Sequence, residues 1–291
     1  MQTQNISIDA LAFKQLDFSG LEMLISWAKE EGWNPGPEDA KAFWAADPEG
    51  YYGFFHYGEL IAGGALISYN RAYGFMGLFI VKPNYRSQGI GRKLWYLRRD
   101  TLLKRLNPEA PIGMDGVVAM QNFYAQGGFK MAYTEERYER LGERFSLSTK
   151  VQKAMKDDFD NIAEYDQNCF LFERNSFLKS WLNMNLSEVF VYKNEGKIVG
   201  YAVIRKADIG HKIGPLFADD AQIAEELYLA CLNARPYEAV FIDVPVNNPQ
   251  AILMLQKYHA KYVFECGRMY YKTAPNLPIN RIFGVTSFEL G

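Results

Sequence analysis

Residues 78–81 (Leu-Phe-Ile-Val) form a short, wholly apolar run closed by the turn Lys82-Pro83-Asn84-Tyr85, which predicts a buried strand. Soon after it Ile90, Leu94 and Leu97 keep a 4,3 spacing, continued loosely by Leu102 and Leu106, which predicts an amphipathic helix. Between the two lies Arg86-Ser87-Gln88-Gly89-Ile90-Gly91. Further helical patterns cover 17–31, 37–46, 157–169, 172–184 and 250–258, with Pro37, Glu38 and Asp39 suited to a first turn. A strand is predicted over 130–141, and 268–271 and 281–284 read as late strands with no chemical signal.

The same patterns occur twice. Residues 57–67 line up with 194–204 at an offset of 137, each a glycine-containing turn leading into a strand. Gly77-Leu78-Phe79 falls on Gly214-Pro215-Leu216 at the same offset, whereas Met114-Asp115 matches Ile242-Asp243 at 128. The second copy has therefore lost nine residues in the interval that holds the glycine loop. Each copy reads helix, helix, strands, helix, strand, helix, strand. That order predicts an α/β (α+β layered) fold, with helices packed on mixed sheets. The join lies near 143–150, a polar stretch.

Composition narrows the classes. At 291 residues, 48% hydrophobic and 15% aromatic, the chain can build two cores. A net charge of −2 argues against a general nucleic-acid binder. Cys169, Cys231 and Cys266 are widely spaced and read as reduced, buried thiols. His56, His211 and His259 lack ligand spacing, so no metal is expected. No apolar stretch approaches a membrane span and residues 1–5 begin no export signal, so a cytoplasmic protein without membrane contact is expected.

A glycine loop between a strand and a helix N-terminus exposes backbone N–H groups beside the positive end of the helix dipole, a setting that suits a phosphate. The spacing is neither that of the NTPase loop nor G-x-G-x-x-G. It is R-x-x-G-x-G, and eight of the 32 basic residues crowd into 82–105, most of them reading as a solvated helix face. The motif resembles the pyrophosphate-binding loop of the GNAT superfamily of acyl-CoA-dependent N-acetyltransferases. The segment Asn122-Phe-Tyr124-Ala-Gln-Gly-Gly128-Phe129 is similar to another pattern of that family. The whole resembles bacterial tandem-GNAT proteins: a GNAT acetyltransferase domain over 1–143 with an acetyl-CoA site, and a divergent GNAT-like domain over 150–291 lacking the phosphate loop. One departure is Ser87, where many relatives have glycine; serine costs little there unless the backbone needs φ > 0.

The resemblance implies the site. Acetyl-CoA would lie on Phe79, Ile80 and Val81 for its pantetheine arm. Its phosphates would meet Arg86, Ser87, Gln88, Gly89, Ile90, Gly91 and Arg92, with Asn122 nearby. Tyr124 would protonate the departing thiolate, since a phenol stays protonated at neutral pH. The general base is harder to place, because residues 74–81 hold no carboxylate. Asp115 is a candidate, although Asp243 at the matching place in the second copy favours a structural role for both. In that copy Leu255 stands where the tyrosine would be, and Tyr258 serves only if the register slips. For the acceptor, Trp33, Asn34 and Asp39 combine aromatic surface with a carboxylate, as a cationic amine would require; the same loop also reads as a Pro/Gly turn capping a helix. Residues 170–174 and Trp181 could wall the same cleft.

The expected activity is transfer of the acetyl group of acetyl-CoA to a small-molecule or peptide primary amine, by direct attack. A non-catalytic CoA-binding scaffold or sensor is the alternative, and a single-strand nucleic-acid binder the remote one. A monomer or a homodimer fits equally.

Overall fold

The computed structural model describes residues 7–291; residues 1–5, read above as no export signal, lie outside them. Chain order begins β1 (Ala12–Gln15), α1 (Phe18–Glu30), α2 (Asp39–Ala46), β2 (Tyr51–His56), β3 (Glu59–Ala65), β4 (Ile67–Tyr69), β5 (Tyr73–Phe75) and β6 (Ile80–Val81). It continues with α3 (Ile90–Arg105), β7 (Ile112–Val117), α4 (Gln121–Gln126), β8 (Phe129–Leu141) and β9 (Val151–Lys153). The second copy follows as α5 (Phe159–Phe170), α6 (Asn175–Leu182), β10 (Ser187–Asn194), β11 (Lys197–Lys206), β12 (His211–Ala218), α7 (Ala221–Ala234), β13 (Ala239–Pro245), α8 (Pro249–Lys257), β14 (Lys261–Tyr271) and β15 (Ile282–Gly284). The expected helices are present, most with ends moved by one to three residues. Asp17 caps α1 by accepting from the N–H of Gly20 at 2.9 Å. The expected first turn at Pro37 starts later, at Asp39.

Strands β1-β2-β3-β6 form a small sheet, and the rest run in the order β4-β5-β7-β14-β8-β13-β12-β11-β10-β9, with β15 beside β12. This order exchanges the last long strands of the two copies. β14 lies between β7 and β8, and β8 pairs in turn with β13. One apolar core spans both halves, taking Leu24, Phe43 and Phe75 from the first copy and Phe170, Trp181 and Tyr201 from the second. Helices α2 and α6, equivalent in the repeat, meet there, with Phe43 stacked 6.2 Å from Trp181.

The feature that positions the site is a splay. Through Met76 the β5 line pairs parallel with β7, Met76 N donating to Gly113 O at 2.9 Å. Beyond Gly77, whose carbonyl accepts from Ala65 N at 2.8 Å, the line pairs only with β3, through Ile80 and Val81. Leu78 turns the chain there with φ of 49°. In the second copy β12 parts from β13 after Ile213, but β15 fills that gap: it pairs with Leu216 and Phe217, and Val285 N donates to Asp243 O at 2.8 Å.

Candidate active site

Between the parted strands lies a cleft of about 670 Å³. Its floor is Phe79, Ile80 and Val81 on one side and Met114, Asp115 and Val117 on the other. At one mouth stand Arg86, Ser87, Gly89, Gly91 and Arg92. Gly89 is the N-cap of α3 at φ 79°, and no side chain caps that helix, so its first-turn N–H groups face the mouth. Gly91 packs closely on the floor, because a Cβ there would lie 3.3 Å from Val81 Cγ2. Arg86 is tied to the strand by Nε donating to Val81 O at 2.8 Å, and it also pairs with Glu31. Ser87 adopts φ of 61°, so the position does require the left-handed backbone; serine here carries a cost of about 1 kcal/mol that glycine would not. These donors and this charge fit a polyanionic ligand such as the pyrophosphate of coenzyme A.

Arg98 lies beneath the splay. The sequence pattern placed it among the solvated cations of α3, yet it is wholly buried. It donates to the carbonyls of Ala65 and Gly77, the latter at 2.7 Å, and lies over the Phe79 ring at 5.2 Å. Burial pushes its pKa down to about 9.

Tyr124 lines the cleft, 5% exposed. Its ring rests on Gly116, where a Cβ would come within 2.8 Å, and stacks on Trp95 at 6.0 Å. Burial pushes its hydroxyl up to about 12, with Arg98 opposing, so at neutral pH it is a proton donor. Asp115 also faces the cleft, but its carboxylate is engaged. Arg268 opposite it donates through Nε at 2.6 Å and Nη2 at 2.9 Å. Arg268 also reaches Glu135 at 3.2 Å. Burial drives the Glu135 carboxyl well above the usual range despite Arg268, with Asp115 adding to the rise.

The other predicted site residues divide. Trp33 lines the cleft, its carbonyl accepting from Lys212 Nζ at 3.0 Å and Arg137 Nη1 at 3.3 Å. Asn34 does not line it; its amide pairs with the backbone of Ile209 at 3.0 and 2.7 Å and so fastens the loop to the second copy. Asp39 is turned away, 1% exposed, its oxygens taken by Arg205 at 2.9 and 3.1 Å and by the N–H of Gly36 at 2.8 Å. Ile90 is core, against Phe54 and Ile61. Gln88 sends its amide to Asn84 O at 3.3 Å, and Asn122 is exposed on α4 outside the cleft lining. Trp181 and Phe170 are core residues rather than cleft walls.

Sequence reasoning missed the far wall. Arg137, Phe264, Cys266, Phe288 and Glu289 close the cleft, and all but Arg137 belong to the second copy. Arg137 sits between Phe264 and Phe288 at 4.7 and 5.2 Å and pairs with Asp243 at 2.6 and 2.7 Å. Burial lifts the Cys266 thiol far above its ordinary range, leaving it unreactive. The only hint available was the Asp115/Asp243 match, since the wall itself comes from strand exchange.

Two family models match the chain. Residues 18–129 match the acetyltransferase (GNAT) family and residues 162–284 match an acetyltransferase (GNAT) domain. The chain belongs to the GNAT acyltransferases and carries two such domains in tandem. A holothin acyltransferase from Pseudoalteromonas sp. is 26% identical over 272 residues, covering 93% of this chain and 91% of that one. An uncharacterized N-acetyltransferase of Bacillus subtilis is 21% identical over 66% of this chain and 68% of its own. Among solved structures, a presumptive acetyltransferase from Pyrococcus horikoshii superposes with a TM-score of 0.83 at 20% identity, covering 99% of this chain and 98% of that one. A tandem GNAT protein from the clavulanic acid biosynthesis pathway superposes at 0.63 with 14% identity, covering 91% and 99%. Proteins of this fold generally bind acetyl-CoA.

Proposed function

We propose that the chain transfers the acetyl group of acetyl-CoA to a primary amine by direct attack, in the cleft between β6 and β7. The observation that carries this is that one cleft gathers an uncapped helix N-terminus at Gly89, the phenol of Tyr124 and an aromatic wall with carboxylates. Those groups answer the three needs of the reaction: phosphate binding, protonation of the leaving thiolate and reception of the amine.

In this reading Gly89, Gly91 and Arg92 hold the phosphates, and Phe79, Ile80 and Val81 offer backbone amides to the pantetheine arm and the developing oxyanion. Tyr124 gives its proton to the departing sulfur. Trp33, Phe264 and Phe288 would receive the apolar part of the acceptor. The Pseudoalteromonas relative, aligned over nearly all of both chains, is named as an acyltransferase, which supports transfer over a non-catalytic scaffold.

The test is release of coenzyme A thiol from acetyl-CoA across a panel of arylalkylamines, amino sugars and peptide N-termini, with product mass confirming N-acetylation. Tyr124→Phe should lower kcat by at least tenfold while leaving acetyl-CoA affinity unchanged. Tight binding with no transfer to any amine would favour the scaffold reading instead.

A further inference from the structure

We propose that Glu289 is the carboxylate that takes the proton from the attacking amine, so that the second copy supplies the base that the first copy lacks. The proposal rests on the acetyl-transfer reading above.

Three carboxylates line the cleft: Glu31, Asp115 and Glu289. Glu31 is held by Arg86 at the phosphate mouth, and Asp115 is held bidentate by Arg268. Glu289 is 5% exposed, and among the described residues its carboxylate forms no hydrogen bond or ion pair. An unpaired carboxylate is expensive to bury, and a cleft position is where such a cost is repaid by chemistry. Its charged surroundings are mixed. Arg137 on β8 and Lys212 on β12 feel its charge favourably, whereas Asp115 on β7 opposes it. Tyr124, Cys266 and Trp33 line the same cleft.

Its position follows from Gly77. A Cβ on that glycine would stand 1.9 Å from the carbonyl oxygen of Glu289, so the 282–291 segment crosses the splay against bare backbone. The segment is firmly held. Arg174 donates to Thr286 Oγ1 at 2.9 Å, Tyr69 Oη donates to Leu290 O at 3.0 Å, and Gly291 N donates to Ser287 O at 3.1 Å. The carboxylate missing from residues 74–81 is thereby replaced from the far end of the fold.

The proton balance is complete. The ammonium gives one proton to Glu289, which passes it to water, and the freed nitrogen lone pair forms the C–N bond. The C–S pair leaves on sulfur and takes the Tyr124 proton, and the second nitrogen proton restores the phenol. Coenzyme A thiol, the amide and one solvent proton result.

The experiment compares the wild type with Glu289→Gln and Glu289→Asp, using the best amine of the panel, with tryptamine as the first probe. Across pH, kcat/KM of the wild type should fall on the acid side. Glu289→Gln should lose that limb and about 100-fold in rate with acetyl-CoA affinity unchanged, and Glu289→Asp should recover part of the rate. A Gln variant with wild-type rate and pH profile overturns the proposal, and so does a wild type without an acid limb if the Gln variant fails to fold. A wild type that acetylates no amine contradicts the acetyl-transfer reading, and this assignment falls with it.

Discussion

Arg268 of β14 stands directly across the sheet from Asp115 of β7 and donates to it twice, at 2.6 and 2.9 Å, although 153 residues separate them. Arg137 of β8 stands across from Asp243 of β13 in the same way, at 2.6 and 2.7 Å. Each central-strand aspartate is thus matched by an arginine from the other copy's last strand. The two pairs fasten the strand exchange, and they explain why both copies keep the aspartate when only one keeps the R-x-x-G-x-G spacing.

Breaking either pair should leave an arginine buried without its counter-charge. Asp115→Asn and Asp243→Asn should each lower unfolding free energy by about 3–5 kcal/mol in urea titrations. A neutral Asp243→Asn would show that the second pair fastens nothing.

Ser87 holds φ of 61° in the loop at the mouth of α3. Ser87→Gly should raise stability by about 1 kcal/mol, or roughly 2–4 °C in Tm, and leave coenzyme binding intact. A lower Tm would mean that the hydroxyl contributes more than the backbone costs.

Gly214, the repeat partner of Gly77, is also crossed by the 282–291 segment. A Cβ there would stand 2.5 Å from Thr286 O. Gly214→Ala should push the segment aside, lowering kcat without weakening acetyl-CoA binding, although the substitution lies in the copy without the R-x-x-G-x-G spacing. Unchanged turnover would separate that segment from catalysis.

Lys212 is buried, which pushes its ammonium down to about 8, and Arg137 adds to the shift. In the unfolded chain the value is about 10.4. Between these values the unfolded state binds more protons, so this residue makes stability rise with pH from about 8 to about 10.4. Lys212→Met should flatten that rise in unfolding measured across the window, and a slope equal to wild type would contradict the burial effect.

The repeat, the helices and the glycine loop that opens α3 were legible because each rests on local periodicity or on a short spacing. Ile90, Leu94 and Leu102 report a helix face wherever the chain goes. The roles of Asp39 and Asn34 were not, because their partners Arg205 and Ile209 lie far along the chain. Arg98 was misplaced for a related reason: its burial depends on the carbonyls of Ala65 and Gly77 at the splay, which no pattern in α3 encodes. Residues 281–284 read as a strand but carried no chemical signal, because Phe288 and Glu289 reach the cleft through partners far along the chain, such as Tyr69 donating to Leu290 O and Arg174 donating to Thr286.

The most direct measurement is calorimetric titration of the full chain with acetyl-CoA, alongside Gly89→Glu. In the second copy Asp220 already caps α7, accepting from Ile223 N at 2.9 Å, and β15 occupies the gap beside β12. One site per chain is therefore expected, and it should vanish in Gly89→Glu, which places a strained, negative side chain at φ 79°. Two sites, no binding to the wild type, or binding untouched by Gly89→Glu would contradict a single coenzyme site at the mouth of α3.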